Sequence, residues 1–237
     1  MSHLKISAAP CVFFFFFAAG CHPKGQNVSA LQAQQTINVQ QDSIQKIVTQ
    51  TEESYKAMDN PTLLKKLAEQ SSRLREPFNS IAYRELKGRK DVNTDTLASM
   101  VRETKNGNAI LPLLLLRSLN ERTYKALPVE LRSGVLTDAL QRSKTFNMWG
   151  LPHLYLEEAS KALLECDKSA LPALERMLSD TLRAPVYGSQ VAMESIRYHY
   201  RLCDYALFFI EHLQGDTTFV MPLSPADRDA LIKGIPH

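Results

Sequence analysis

The segment Ile110-Leu111-Pro112-Leu113-Leu114-Leu115-Leu116-Arg117-Ser118-Leu119 decides the fold. From Ile110 to Leu116 every side is apolar apart from the embedded Pro112. A helix here offers water no face, so it belongs at the centre of a packed domain. Outward from it, most of the chain shows the 3- and 4-residue apolar steps of helices. Upstream, Ile44, Ile47, Val48, Thr51, Tyr55 and Met58 form one stripe behind Asp42. Asn60-Pro61 places a cap and a first-turn proline before Leu63, Leu64, Leu67, Ala68 and Leu74. Phe78, Ile81, Ala82 and Leu86 make a short helix stopped near Gly88. Leu97, Met100 and Val101 make another, which ends at Asn106-Gly107. Downstream, helices are expected over about 129–143, 153–166, 168–179 and 189–213. Ser224-Pro225-Ala226-Asp227 reads as a capping box with proline at the first helical position. Only Thr217 to Met221 looks strand-like, and it is too short to build a sheet. The expected fold is all-α.

Composition agrees. Glycine is 9 of 237 residues, low for a fold built on glycine-rich phosphate loops or many tight hairpins. The net charge of +3 is too balanced to indicate a nucleic-acid partner.

The N-terminus reads as an address. Lys5 is a short basic region, and Ile6 to Gly20 is uncharged and mostly apolar, too short for a membrane-spanning helix. It closes in Ala18-Ala19-Gly20-Cys21, which resembles the lipobox of bacterial lipoproteins, although that family usually has Leu where Ala18 stands. The resemblance implies cleavage after Gly20 and diacylglycerol on the Cys21 thiol. Two acyl chains anchor a protein stably where one does not. Ordinary cleavage at Ala18-x-Gly20, releasing the chain, is the alternative. His22 follows the cysteine, rather than the Asp that retains lipoproteins at the inner membrane of Gram-negative cells. The implied destination is therefore the bacterial cell envelope, at the outer membrane where the host has one. The expected organisation is a signal peptide over 1–20, a flexible glutamine-rich tether over 21–41, and one α-helical domain over 42–237.

Leu-Pro recurs at 111–112, 127–128, 151–152 and 171–172; alternate pairs lie 40 and 44 residues apart, within the period of two-helix solenoid repeats. Ala170-Leu171-Pro172-Ala173-Leu174 with Asp180 resembles a HEAT repeat helix, and Tyr200-Arg201-Leu202-Cys203-Asp204 resembles that family's arginine-bearing inner helix. The resemblance covers about 108–213. It implies a solenoid-like stack of antiparallel helix pairs, with an irregular helical bundle as the alternative.

No catalytic constellation emerges. There is no H-E-x-x-H, C-x-x-C, G-x-S-x-G, P-loop or G-x-G-x-x-G, and no cofactor or metal is expected. His199 and Cys203 fall one turn apart on the 189–213 helix, more in keeping with packing than with a dyad. Asp91-Val92-Asn93-Thr94-Asp95 alternates oxygen ligands like a calcium loop, yet Thr96 and Arg102 stand where Gly and Glu are needed. Cys166 and Cys203 have two readings: a bridge worth about 3 kcal/mol by chain entropy, or two buried thiols. Tyr187, Arg197, Tyr198, Arg201 and Tyr205 form the candidate partner-binding cluster, because Tyr and Arg are enriched in binding hot spots. Trp149 reads as an exposed anchor or a core plug.

The expected function is a lipid-anchored, non-enzymatic scaffold that presents a helical surface to a protein partner. The alternatives are an envelope hydrolase using sequence-remote residues such as His153 and His199, and a helical carrier of an apolar ligand served by 110–119.

Overall fold

The computed structural model describes residues 27–73, 76–188 and 190–235; the signal segment and the lipobox at Cys21 lie outside them. The fold is all-α. Twelve α-helices run through the described residues: α1 (Asn27–Lys56), α2 (Asn60–Ser71), α3 (Ile81–Lys87), α4 (Thr94–Thr104), α5 (Ile110–Leu119), α6 (Glu121–Lys125), α7 (Val129–Arg142), α8 (Glu158–Leu164), α9 (Leu171–Met177), α10 (Gln190–Tyr198), α11 (Leu202–Gln214) and α12 (Pro225–Gly234). Among the same residues one small hairpin, β1 (Gly150–Leu151) and β2 (Tyr155–Leu156), interrupts them. The chain divides into two units at Glu53/Ser54.

The first unit contains most of α1. Helix begins at Asn27, so the stretch expected to be a flexible tether over 21–41 is helical from Asn27 onward, over most of its length. Its glutamines are adequate helix formers, and no Gly or Pro lies between Asn27 and Lys56. The second unit begins at Ser54, within the last turn of α1.

In the second unit, α5 occupies the centre as its composition requires. Every residue from Ile110 to Leu116 is buried, and the helix packs on α2, α3, α4, α6, α7 and α8. It is thus the shared packing partner of helices on both sides of it in sequence. Pro112 does no harm because it sits in the first turn, where its missing N–H has no intrahelical acceptor to lose. The neighbouring orphan donor, Leu111 N–H, is satisfied by Ser71 Oγ at the end of α2. Gly107, just before α5, lies against α7: a Cβ there would sit 2.6 Å from Asp138 Oδ2 and 2.7 Å from Ala139 N. Only glycine allows that approach.

Three expected elements differ. Residues 153–166 do not form one helix. Gly150, at φ 79°, turns the chain into the hairpin, and α8 starts only at Glu158. The 189–213 helix is broken, because the backbone of Tyr200 and Leu202 pairs with 182–184: Ala184 N–H donates to Tyr200 O at 2.8 Å and Leu202 N–H to Leu182 O at 2.9 Å. His199, at φ 51°, makes the turn between α10 and α11. Thr217–Met221 forms no strand, and Ser224 makes no side-chain cap bond to α12.

Candidate functional site

Two features converge around the hairpin: a partly open cavity and the outer face of α10. The cavity, of about 400 Å³, lies between α3 and the 147–158 segment. Tyr83, Arg84 and Lys87 line one side, with Met148, Tyr155 and Glu158 opposite. Tyr83 Oη donates to Glu158 Oε2 at 2.6 Å, and Lys87 Nζ bonds the other oxygen, so this carboxylate is already engaged. Burial opposes its ionisation, but Lys87 and Tyr83 more than compensate and hold its pKa low. Glu76 lies at the edge, next to the lining residue Pro77. It is 5% exposed; Oε1 accepts from Thr145 Oγ1 at 2.6 Å. Oε2 lacks a well-aligned partner among the described residues. Burial pushes this carboxyl up to about 7, against the pull of Thr145 and the Met148 backbone. Nothing in the pattern Arg75-Glu76-Pro77 signals this environment; it exists only once 145–148 folds over it.

Asn147 joins the cavity rim to the next segment. Its amide donates to Tyr187 O at 2.7 Å and accepts from Tyr187 N–H at 3.1 Å. That clamp fixes the Tyr187 backbone and leaves its ring 59% exposed. Helix α10 then lies down along one face. Ser195 Oγ accepts from Val186 N–H at 3.2 Å, and Tyr198 packs its ring edge 4.5 Å from His153. What remains is the opposite face, where Met193 is 67% and Ile196 52% exposed, with Arg197 beside them. In one unbroken helix over 189–213, Ile196 would share a face with Cys203, Leu207 and Ile210. It faces solvent because the turn at His199 re-registers α10 relative to α11.

The five candidate binding residues therefore separate. Tyr187 and Arg197 are exposed and Tyr198 is half-buried, with the Arg197 guanidinium 5.4 Å from the Tyr198 ring. Arg201 is committed to Asp204 at 2.8 Å and to Asp229 at 2.6 Å. Tyr205 has no exposure and donates to Gly150 O at 2.5 Å, so it cannot meet a partner. Both are framework.

The other candidates are accounted for by packing. Cys166 and Cys203 are free and buried, so the bridge that the sequence allowed is not formed; burial pushes each thiol up to about 12. The break after Tyr198 separates His199 from Cys203, which no longer share a helix. His153 Nδ1 lies 2.9 Å from Tyr200 Oη, and burial lowers the imidazole pKa. His199 is exposed, whereas His153 packs against Tyr198 and Tyr200. The 110–116 side chains of the carrier reading fill the core themselves. Asn93 caps α4 through Asp95 and Thr96 N–H groups, which explains the calcium-like pattern. Trp149 is buried, with Nε1 donating to Ser143 Oγ at 3.0 Å. Among the described residues no three His, Cys, Asp or Glu side chains gather as metal ligands.

The architecture defines an all-α protein with a charged, partly open cavity on one side of the hairpin and an exposed apolar face on α10. Comparison with protein-family models, curated proteins and solved structures finds no significant match.

Proposed function

We propose that this chain is a non-enzymatic protein-interaction module of the bacterial cell envelope, held at a membrane by lipid on Cys21 and binding its protein partner through the outer face of α10. The observation that carries the reading is the exposure of Met193 and Ile196 beside Arg197, on a helix whose other side is pinned by Ser195 and Tyr198. Apolar side chains three apart, next to an arginine and supported by a fixed framework, have the character of a hot spot before it is covered. The lipid reading rests on Ala18-Ala19-Gly20-Cys21. No described helix is long and apolar enough to cross a membrane.

Two measurements test the two halves. Intact mass of the mature protein should show a diacylglycerol adduct on an N-terminal Cys21, and an unmodified N-terminus removes the anchor. Met193→Glu with Ile196→Glu should abolish co-purification of the envelope partner while leaving the melting temperature within a degree or two. Undiminished co-purification removes the α10 assignment.

A further inference from the structure

Helix α1 carries a second exposed apolar surface with a different geometry. Ile37, Ile44, Ile47 and Val48 are 46%, 61%, 63% and 43% exposed. At about 100° per residue they fall within one arc of about 100°. Ile37 and Ile44 are seven apart, and Ile47 follows three later, so they occupy a, a and d of a heptad whose other d positions include Ala33 and Gln40. Helices are held in proteins mainly by packing of such a stripe, and no described residue of the first unit covers this one.

The charges identify what covers it. On that heptad the flanking g positions are Thr36, Ser43 and Gln50, and the e positions are Gln34, Gln41 and Val48. None is charged. All charged residues of the helix, Asp42, Lys46, Glu52, Glu53 and Lys56, fall at b, c and f, the positions remote from a seam. Hetero-pairing coiled coils select their partners by e and g charges; this seam has none. Neutral flanks suit a seam that meets itself, where flanking charges of one sign would repel their own copies. Between Ile37 and Ile47 the one polar seam residue is Gln40, and the seam turns polar again at Thr51 and Ser54; a polar residue at a seam position fixes register, and Gln40 meets its own counterpart in parallel, in-register pairing. The small Ala33, one heptad earlier, lets the helices stay close at the neighbouring d layer. A membrane surface fits less well, because α1 carries three acidic and two basic residues, whereas interfacial helices are rich in Lys and Arg.

We infer that α1 pairs with α1 of a second copy of this chain, as a parallel coiled coil through Ile37, Ile44 and Ile47. The inference does not depend on the α10 face or on lipidation. Full-length protein in detergent should sediment at twice the mass of one chain. Ile44→Asp with Ile47→Asp should return it to one chain with an unchanged melting temperature, since neither residue belongs to the core. Ile44→Cys should give an oxidised dimer and Lys46→Cys, away from the seam, should not; any band from the native Cys11 or Cys21 is common to both. A single-chain mass at all concentrations overturns the inference, as does equal cross-linking at 44 and 46. So does a fluorophore attached through Ile44→Cys that responds to phosphatidylglycerol vesicles while the chain stays monomeric.

Discussion

Arg228 Nε lies 3.1 Å from Asp204 Oδ1, and neither side chain has exposed surface. The approach is electrostatic rather than a well-aligned hydrogen bond, since Nε counts among the unsatisfied buried atoms. The guanidinium's other nitrogens are saturated by backbone: Nη1 donates to Pro222 O at 3.0 Å and Leu223 O at 2.9 Å, and Nη2 to Tyr198 O at 2.7 Å. This pair ties α12 to the start of α11 and to the end of α10. Removing one partner strands a buried charge. Asp204→Ala should therefore cost about 3–5 kcal/mol in urea denaturation, and Asp204→Leu combined with Arg228→Met should cost less than the single substitution.

Glu76 makes stability fall toward neutral pH. Its carboxyl is raised from 4.5 to about 7 in the folded protein, so the native state holds the proton where the unfolded chain has lost it. The contribution is complete below about pH 4.5, is lost as pH rises to about 7, and is flat above. Glu76→Gln should raise stability at pH 8 by up to about 3 kcal/mol and have little effect at pH 4. Equal shifts in melting temperature at both pH values would contradict this.

Gly107→Ala forces a methyl group into Asp138 and the Ala139 backbone. The backbone contact cannot swing aside, so the α5–α7 approach must widen. A loss of about 1–3 kcal/mol is expected, measured as a lower denaturation midpoint at unchanged slope.

Cys166 and Cys203 should be inert in the native state. Burial keeps both protonated at pH 8, and the thiolate is the reactive form. Ellman's reagent should count two more thiols after unfolding without reductant than before. No increase would mean that the two are bridged.

The legible part of the fold is the part set by local pattern. Ile110–Leu116 announces its own burial, and Asn60-Pro61 marks the start of α2, although the cap is Asp59, whose side chain accepts from Thr62 N–H, and Asn60 is already the first helical residue. What escapes is decided by distant backbone. The hairpin after Gly150 and the break at His199 both replace helix where 3.6-residue periodicity is present. Tyr200 is held out of helix, and Leu202 N–H at the start of α11 is engaged, by hydrogen bonds with 182–184, a pairing no local window contains. That one break also divides the candidate cluster. Tyr205 is carried into the core with α11 and Arg201 into the Asp204–Asp229 network, while Ile196, which periodicity assigns to the core, turns to solvent with Met193. Glu76 leaves no trace in sequence because its partners Thr145 and Met148 lie some seventy residues away.

The central claim is that α10 meets a protein partner, and site-specific photo-cross-linking in intact envelopes tests it most directly. A photoreactive residue at Met193 should give one discrete higher-mass adduct, lost on adding Ile196→Glu, while the same residue at the exposed Arg102 of α4 gives none. No adduct at 193, or the same adduct from both positions, would contradict the account.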